Sequence, residues 1–169
     1  MANWLCPIDE ANWGIILENR VWGVSDEYRP LLDQVQPGDS LVFCIKQTYE
    51  LRGIYRANSS PFENAEIRML DDTAFPAKIT YWVELTERVM PVYTIDFQKL
   101  LTNHHMFRSQ QRWFQSKFGK PLIPLTDGVY QVLYEVLKEA SSVLDDPEGD
   151  KRKSWQYYRW ANRRGGGYW

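Results

Sequence analysis

The stretch Pro37-Gly38-Asp39-Ser40-Leu41-Val42-Phe43-Cys44-Ile45-Lys46, followed after Gln47–Glu50 by Leu51-Arg52-Gly53-Ile54-Tyr55-Arg56-Ala57, decides the fold. Pro-Gly-Asp is a turn signal. Beyond it Leu41, Phe43 and Ile45 alternate with Val42 and Cys44, so both faces are apolar and the spacing predicts a central strand. The second segment reads as the returning strand. Gly53 in its middle marks a bulge or a close approach by another group.

Toward the N-terminus, Asn3–Pro7 reads as a strand, and Asp9 is placed to cap a helix from about Glu10 to Leu17 carrying Trp13, Ile16 and Leu17. Arg20–Ser25 is apolar and its Gly23 permits a bend; a short helical stretch around Tyr28–Val35 follows. Toward the C-terminus, Asn58–Pro76 is polar and irregular and reads as a long surface loop, which is often functional. Ala77–Leu85 alternates as a half-buried strand, and Tyr93–Leu101 contains a further strand. Phe107–Phe118 reads as one helix with Phe107, Phe114 and Phe118 on one face, stopped near Gly119. Asp127 is placed to cap a final helix with Tyr130, Leu133, Val136, Leu137, Ala140 and Leu144 along one stripe. Strands flanked by helices predict an α+β domain on a curved or closed β-barrel with peripheral helices, spanning residues 1–145.

The 169 residues hold 15% aromatics, including 8 Trp. Most must be core, but aromatics also supply base-stacking faces. The net charge of −2 is uneven: residues 151–169 carry six basic and no acidic side chains, so residues 1–150 carry −8. That tail, from residue 146, interleaves the cations with Trp155, Tyr157, Tyr158, Trp160, Tyr168 and Trp169. It either contacts nucleic acid or docks on the body. No apolar run reaches the ~18 residues of a membrane span, and Met1–Cys6 is not a signal peptide. Cys6 and Cys44 sit in apolar runs and read as buried thiols in a reducing compartment. His104 and His105 are sequence neighbours pointing apart and make a poor metal pair. These features predict a cytoplasmic monomer without metal, cofactor or membrane partner. None of the Gly-rich phosphate loops, CxxC pairs, HExxH or GxSxG motifs is present.

A series of motifs in order carries a family likeness: Asn3-Trp4-Leu5-Cys6, the helix with Trp13, Val21-Trp22-Gly23-Val24, Val35–Phe43, Arg52-Gly53-Ile54-Tyr55 and Gln111-Arg112-Trp113. The series resembles the EVE domain, a member of the PUA-like superfamily and a relative of the YTH domain, over roughly residues 2–140. The resemblance implies a barrel-like sheet with a pocket at its mouth for one flipped base, often a modified cytosine, or a methylated adenine in the YTH relatives. It also implies a reader, not a catalyst. Cys6 and Pro7 depart from the family pattern, and Pro7 removes a backbone N–H.

The resemblance places Trp22 at a cage aromatic, with Gly23, Val24 and Ser25 beside it; the bland alternative is a core tryptophan. Trp4 is either pocket or core, and Trp13 reads as core. Asn3 and Ser25 are able to bond a base edge or to serve as ordinary cap or turn residues. Lys46 and Lys78 are placed to meet phosphates or to remain solvated. Arg108 and Arg112, four apart, would share one helical face, either toward phosphates or as a salt-bridged surface, with Trp113 packed on the sheet. The reading is therefore a non-catalytic reader of a modified base in RNA or DNA. The alternatives are a hydrolase or a small-molecule-binding protein acting on modified nucleosides.

Overall fold

The computed structural model describes residues 1–64, 66 and 79–141. Lys78, Leu144, the tail from residue 146 and most of the loop before Pro76 lie outside the described residues. The elements in chain order are β1 (Asn3–Ile8), α1 (Glu10–Asn19), β2 (Val21–Ser25), a 3-10 turn (Asp26–Tyr28), α2 (Arg29–Leu32), β3 (Ser40–Ile45), β4 (Glu50–Ala57), β5 (Phe62–Glu63) and β6 (Ile79–Val89). They continue with β7 (Ile95–Asp96), α3 (Phe97–Asn103), α4 (His105–Arg108), α5 (Gln111–Lys117), β8 (Ile123–Leu125) and α6 (Asp127–Ser141).

The sheet runs β2-β6-β4-β3-β1-β8, with β5 on β6 and β7 on β4. The strand with two apolar faces, β3, is central, as its pattern predicts. It lies parallel to β1, Asn3 opposite Ser40 through Ile8 opposite Ile45, and antiparallel to β4. Strands β2 and β3 are separated by two others, so a flat sheet would hold them ~14 Å apart. The Trp22 and Phe43 rings nevertheless meet at 5.7 Å. The sheet therefore curls into a half-barrel, and its concave face is the one that carries these rings.

Period-two alternation sorts the side chains into two cores. Trp4, Cys6 and Ile8, Leu41, Phe43 and Ile45, Tyr55, Val83, Trp22 and Val24 line the inside, closed by Trp13 and Ile16 of α1 and Leu32 of α2. Leu5, Val42, Cys44 and Ile54 face outward and are covered by Phe97, Leu101, Phe107, Phe114 and Leu133 of the helices. Pro7 fits because β8 pairs only with Asn3, Trp4 and Leu5. Even-numbered β1 residues bond β3 (Lys46 N–H donates to Ile8 O), so the N–H that Pro7 lacks would point past the end of β8.

Several local expectations are corrected. The strand within Tyr93–Leu101 is only Ile95–Asp96, and Asp96 then caps α3 by accepting from Lys99 N–H at 3.2 Å, so the segment from Phe97 on is helical. Phe107–Phe118 is two helices broken at Ser109–Gln110, although its three Phe rings do share one core. Arg108 and Arg112 therefore do not lie on one continuous helical face. Asp9 precedes α1, but its carboxylate accepts from Gln47 Nε2 (2.9 Å), and Gln47 Oε1 caps the helix by accepting from Glu10 N–H (3.1 Å). Asp127 is the first residue of α6, and the hydroxyl of Thr126 accepts from Val129 N–H at 3.4 Å. The strand expected over Ala77–Leu85 is not simply half-buried: Trp82, which alternates with Tyr81 and Val83 along β6 and pairs with Phe62 of β5, is fully buried.

Candidate functional site

Phe43 sits at the centre of an aromatic cluster inside the half-barrel. Trp22 meets it edge-on, Trp13 at 5.9 Å and Tyr55 at 5.4 Å, and Trp13 meets Tyr55 at 6.0 Å and 81°. Four elements deliver these rings: α1, β2, β3 and β4. Trp22 and Val24 point inward because they alternate with Gly23 along β2. Gly23 is required on the opposite face: an added Cβ would come within 2.5 Å of the Tyr81 carbonyl oxygen and 2.7 Å of Trp82 Cε3. The Trp82 ring fills that space and its Nε1 donates to the Asn64 carbonyl at 2.9 Å.

Asn12 Oδ1, on the helix that delivers Trp13, is buried with no hydrogen-bond partner among the described residues, and the Tyr55 hydroxyl is buried beside the Arg20–Glu87 ion pair. Asn12 precedes Trp13 and stands four residues before the fully buried Ile16, so it shares the inward face of α1. Burial, reinforced by the nearby Glu87 carboxylate, pushes the Tyr55 hydroxyl up to about 12; the Arg20 guanidinium offsets part of this. Arg20 itself has φ 53° and is ion-paired with Glu87 at the surface. The unpartnered Asn12 acceptor, and a buried Tyr55 hydroxyl able to donate, leave hydrogen-bonding capacity for a ligand. Sequence reasoning missed both. The available signals were the inward register of Tyr55 on β4 and the spacing of Asn12 from Ile16.

Trp22 belongs to the inner core and is 2% exposed. Trp4 is inside too, with its Nε1 donating to Asp39 Oδ2 at 3.2 Å. Asp39, from the Pro-Gly-Asp turn, is buried, and it also accepts from Ala2 N–H (2.8 Å) and Gln36 N–H (3.0 Å). Its role is to tie the turn to the start of β1. Asn3 Nδ2 donates to Asp127 Oδ1 at 3.1 Å, Ser25 Oγ to Glu27 at 3.4 Å, and Lys46 Nζ lies 4.0 Å from Asp9. Arg108 and Arg112 lie on the helical layer that covers the outer face, across the sheet from Trp22. Trp113 is not packed on the sheet: it is 39% exposed, its ring edge against Phe114. Cys6 and Cys44 are free and buried, and burial pushes both thiols well up. No described helix is long and apolar enough to cross a membrane.

Comparison with known proteins bears on the fold. No protein-family model matches the chain. The UPF0310 protein PH1033 of Pyrococcus horikoshii is 25% identical over 146 residues, covering 81% of this chain and 99% of that protein. A hypothetical protein from Leishmania major superposes with a TM-score of 0.60 at 12% identity, covering 82% of this chain and 96% of the other. The Pho92 YTH domain in complex with m6A superposes with a TM-score of 0.60 at 10% identity, covering 81% and 83%. The chain shares the fold of YTH domains.

Proposed function

We propose that the chain is a non-catalytic reader of the EVE type that takes one modified base of a nucleic-acid strand into the inner face of its half-barrel. The observation that supports this most is the cluster of Trp13, Trp22, Phe43 and Tyr55, with the unpartnered Asn12 Oδ1 on the helix that carries Trp13, in a fold shared with a YTH domain in complex with m6A. Aromatic faces stack on any base, at ~1–3 kcal/mol each. The Asn12 oxygen accepts and the Tyr55 hydroxyl donates, a pair suited to the mixed donor–acceptor edge of a nucleobase. Trp22, Trp4, Gly23 and Val24 form or border the base site. Asn3 and Ser25 stand near the ends of the strands that bear it, and Lys46 and Lys78 serve the flanking phosphates. Trp22 is covered in this structure, so stacking on it requires the ring to be uncovered as the base enters.

The strand is RNA or DNA, and methylated adenine and modified cytosine are the leading bases. The experiment is a binding panel of oligonucleotides, each carrying one modified base, in both sugar types and at stated salt. Preference for one modified oligonucleotide over its unmodified twin supports the reading, and equal binding across the panel refutes it. Products released by incubation with the protein, beyond its own molar amount, would point instead to an enzyme.

A further inference from the structure

Between Asp96 and Asp127 the chain has no acidic residue and five cations: Lys99, Arg108, Arg112, Lys117 and Lys120. Taking those five from the −8 of residues 1–150 leaves −13 for the rest of the body, where nine cations are mixed with acidic residues, so the segment from α3 to just past α5 is locally net positive on an acidic body. Such a segment sets up a local field that attracts a polyanion despite the acidic total. The helices turn Phe97, Phe107, Phe114 and Phe118 into the outer core, which leaves the polar side of the layer to solvent. Among the described residues no ion pair occupies Arg112, Lys117 or Lys120. Trp113 stands among them, one of the few large apolar side chains exposed among the described residues.

An exposed indole surrounded by uncompensated cations has the composition of a single-strand platform: a base stacks on the ring and the phosphates to either side meet the cations. We infer that the α5 surface, with Trp113, Arg112, Lys117 and Lys120, is a second nucleic-acid contact, insensitive to base identity, for single-stranded RNA or DNA. It lies across the sheet from the aromatic cluster, so it holds a different stretch of strand from the base that is read. The choice of ligand class rests on the base-reader reading; the site itself does not.

The test uses the full chain and single-stranded RNA and DNA of about 16 nucleotides, with and without a modified base. Trp113→Ala should weaken all of them roughly ten-fold, and Trp113→Phe should restore most of the loss. The combined Arg112→Gln, Lys117→Gln, Lys120→Gln variant should lower the slope of log affinity against log salt by about 2. Neither should alter the ratio of modified to unmodified binding. Unchanged affinity and slope would overturn the proposal. So would a loss confined to the modified oligonucleotide, which would place these residues in the base site. A change in sedimentation without a change in binding would also overturn it, making the surface a contact with the acidic face of a second copy. If Trp22→Phe leaves base discrimination intact while these variants behave as stated, the base site fails and this surface stands.

Discussion

Asn12 separates a binding role from a structural one. Its Oδ1 is buried without a partner, so Asn12→Ala removes an unsatisfied acceptor and should leave stability unchanged or raised by up to ~1–3 kcal/mol. If that oxygen meets the base, the same variant weakens the preferred modified oligonucleotide by about 1 kcal/mol. Thermal unfolding beside titration reads both quantities, and unchanged binding removes Asn12 from the site. Trp22 needs a gentler change. Its ring packs on Phe43 in the core, so Trp22→Ala would cost ~3–5 kcal/mol of fold stability and confuse the two roles. Trp22→Phe keeps a ring and should lower affinity while the domain stays folded. Tyr55 gives a pH signature. Its hydroxyl titrates near ~10 in the unfolded chain and is pushed up to about 12 when folded. The unfolded state therefore releases this proton first, and stability declines as pH rises from ~10 toward 12. Tyr55→Phe should flatten that alkaline decline; an identical profile would show that the hydroxyl is not buried as described.

The elements were legible wherever pattern and pairing agree. The two apolar faces of Ser40–Ile45 announce a central strand, and it is one, because β1 and β4 cover its edges and the two cores its faces. Gly53 marks a close approach: its φ is 148° and an added Cβ would sit 2.8 Å from Val89 O. The strand expected within Tyr93–Leu101 is present but short: Ile95 and Asp96 pair, and the Asp96 cap turns the chain into α3 only one residue later. Phe97, Leu100 and Leu101 are spaced for a helix face, which was the overlooked signal. Trp82 could not be placed from its own strand, since it pairs with Phe62, which requires Phe62–Glu63 to fold back as β5. Gly23 was read as a permitted bend, whereas its need is steric. Gly23→Ala should destabilise the domain by ~1–3 kcal/mol by forcing β2 and β6 apart. A denaturation midpoint equal to that of the native chain would contradict this.

At the scale of the molecule, one curled sheet divides the chain into an aromatic inner side and a basic helical outer side. The curl was legible in the resemblance. Local pattern did not reveal it, because β2 and β3 meet inside only after β6 and β4 are interposed. The charge division was half legible: the tail from residue 151 stands out in sequence, while the acid-free run of α3–α5 is diluted by the acidic segments around it. Deleting residues 151–169 should weaken modified and unmodified oligonucleotides by similar factors and flatten the salt slope, because six cations are lost. Loss of discrimination on deletion would assign the tail to the base site instead. The central claim is that the inner aromatic cluster chooses a base. Its most direct measurement is the affinity ratio of one modified oligonucleotide to its unmodified twin, determined for the native chain and for Trp22→Phe under the same salt. The account predicts a ratio well above one that collapses toward one in the variant. A ratio of one in the native chain, or a ratio that Trp22→Phe leaves untouched, would contradict it.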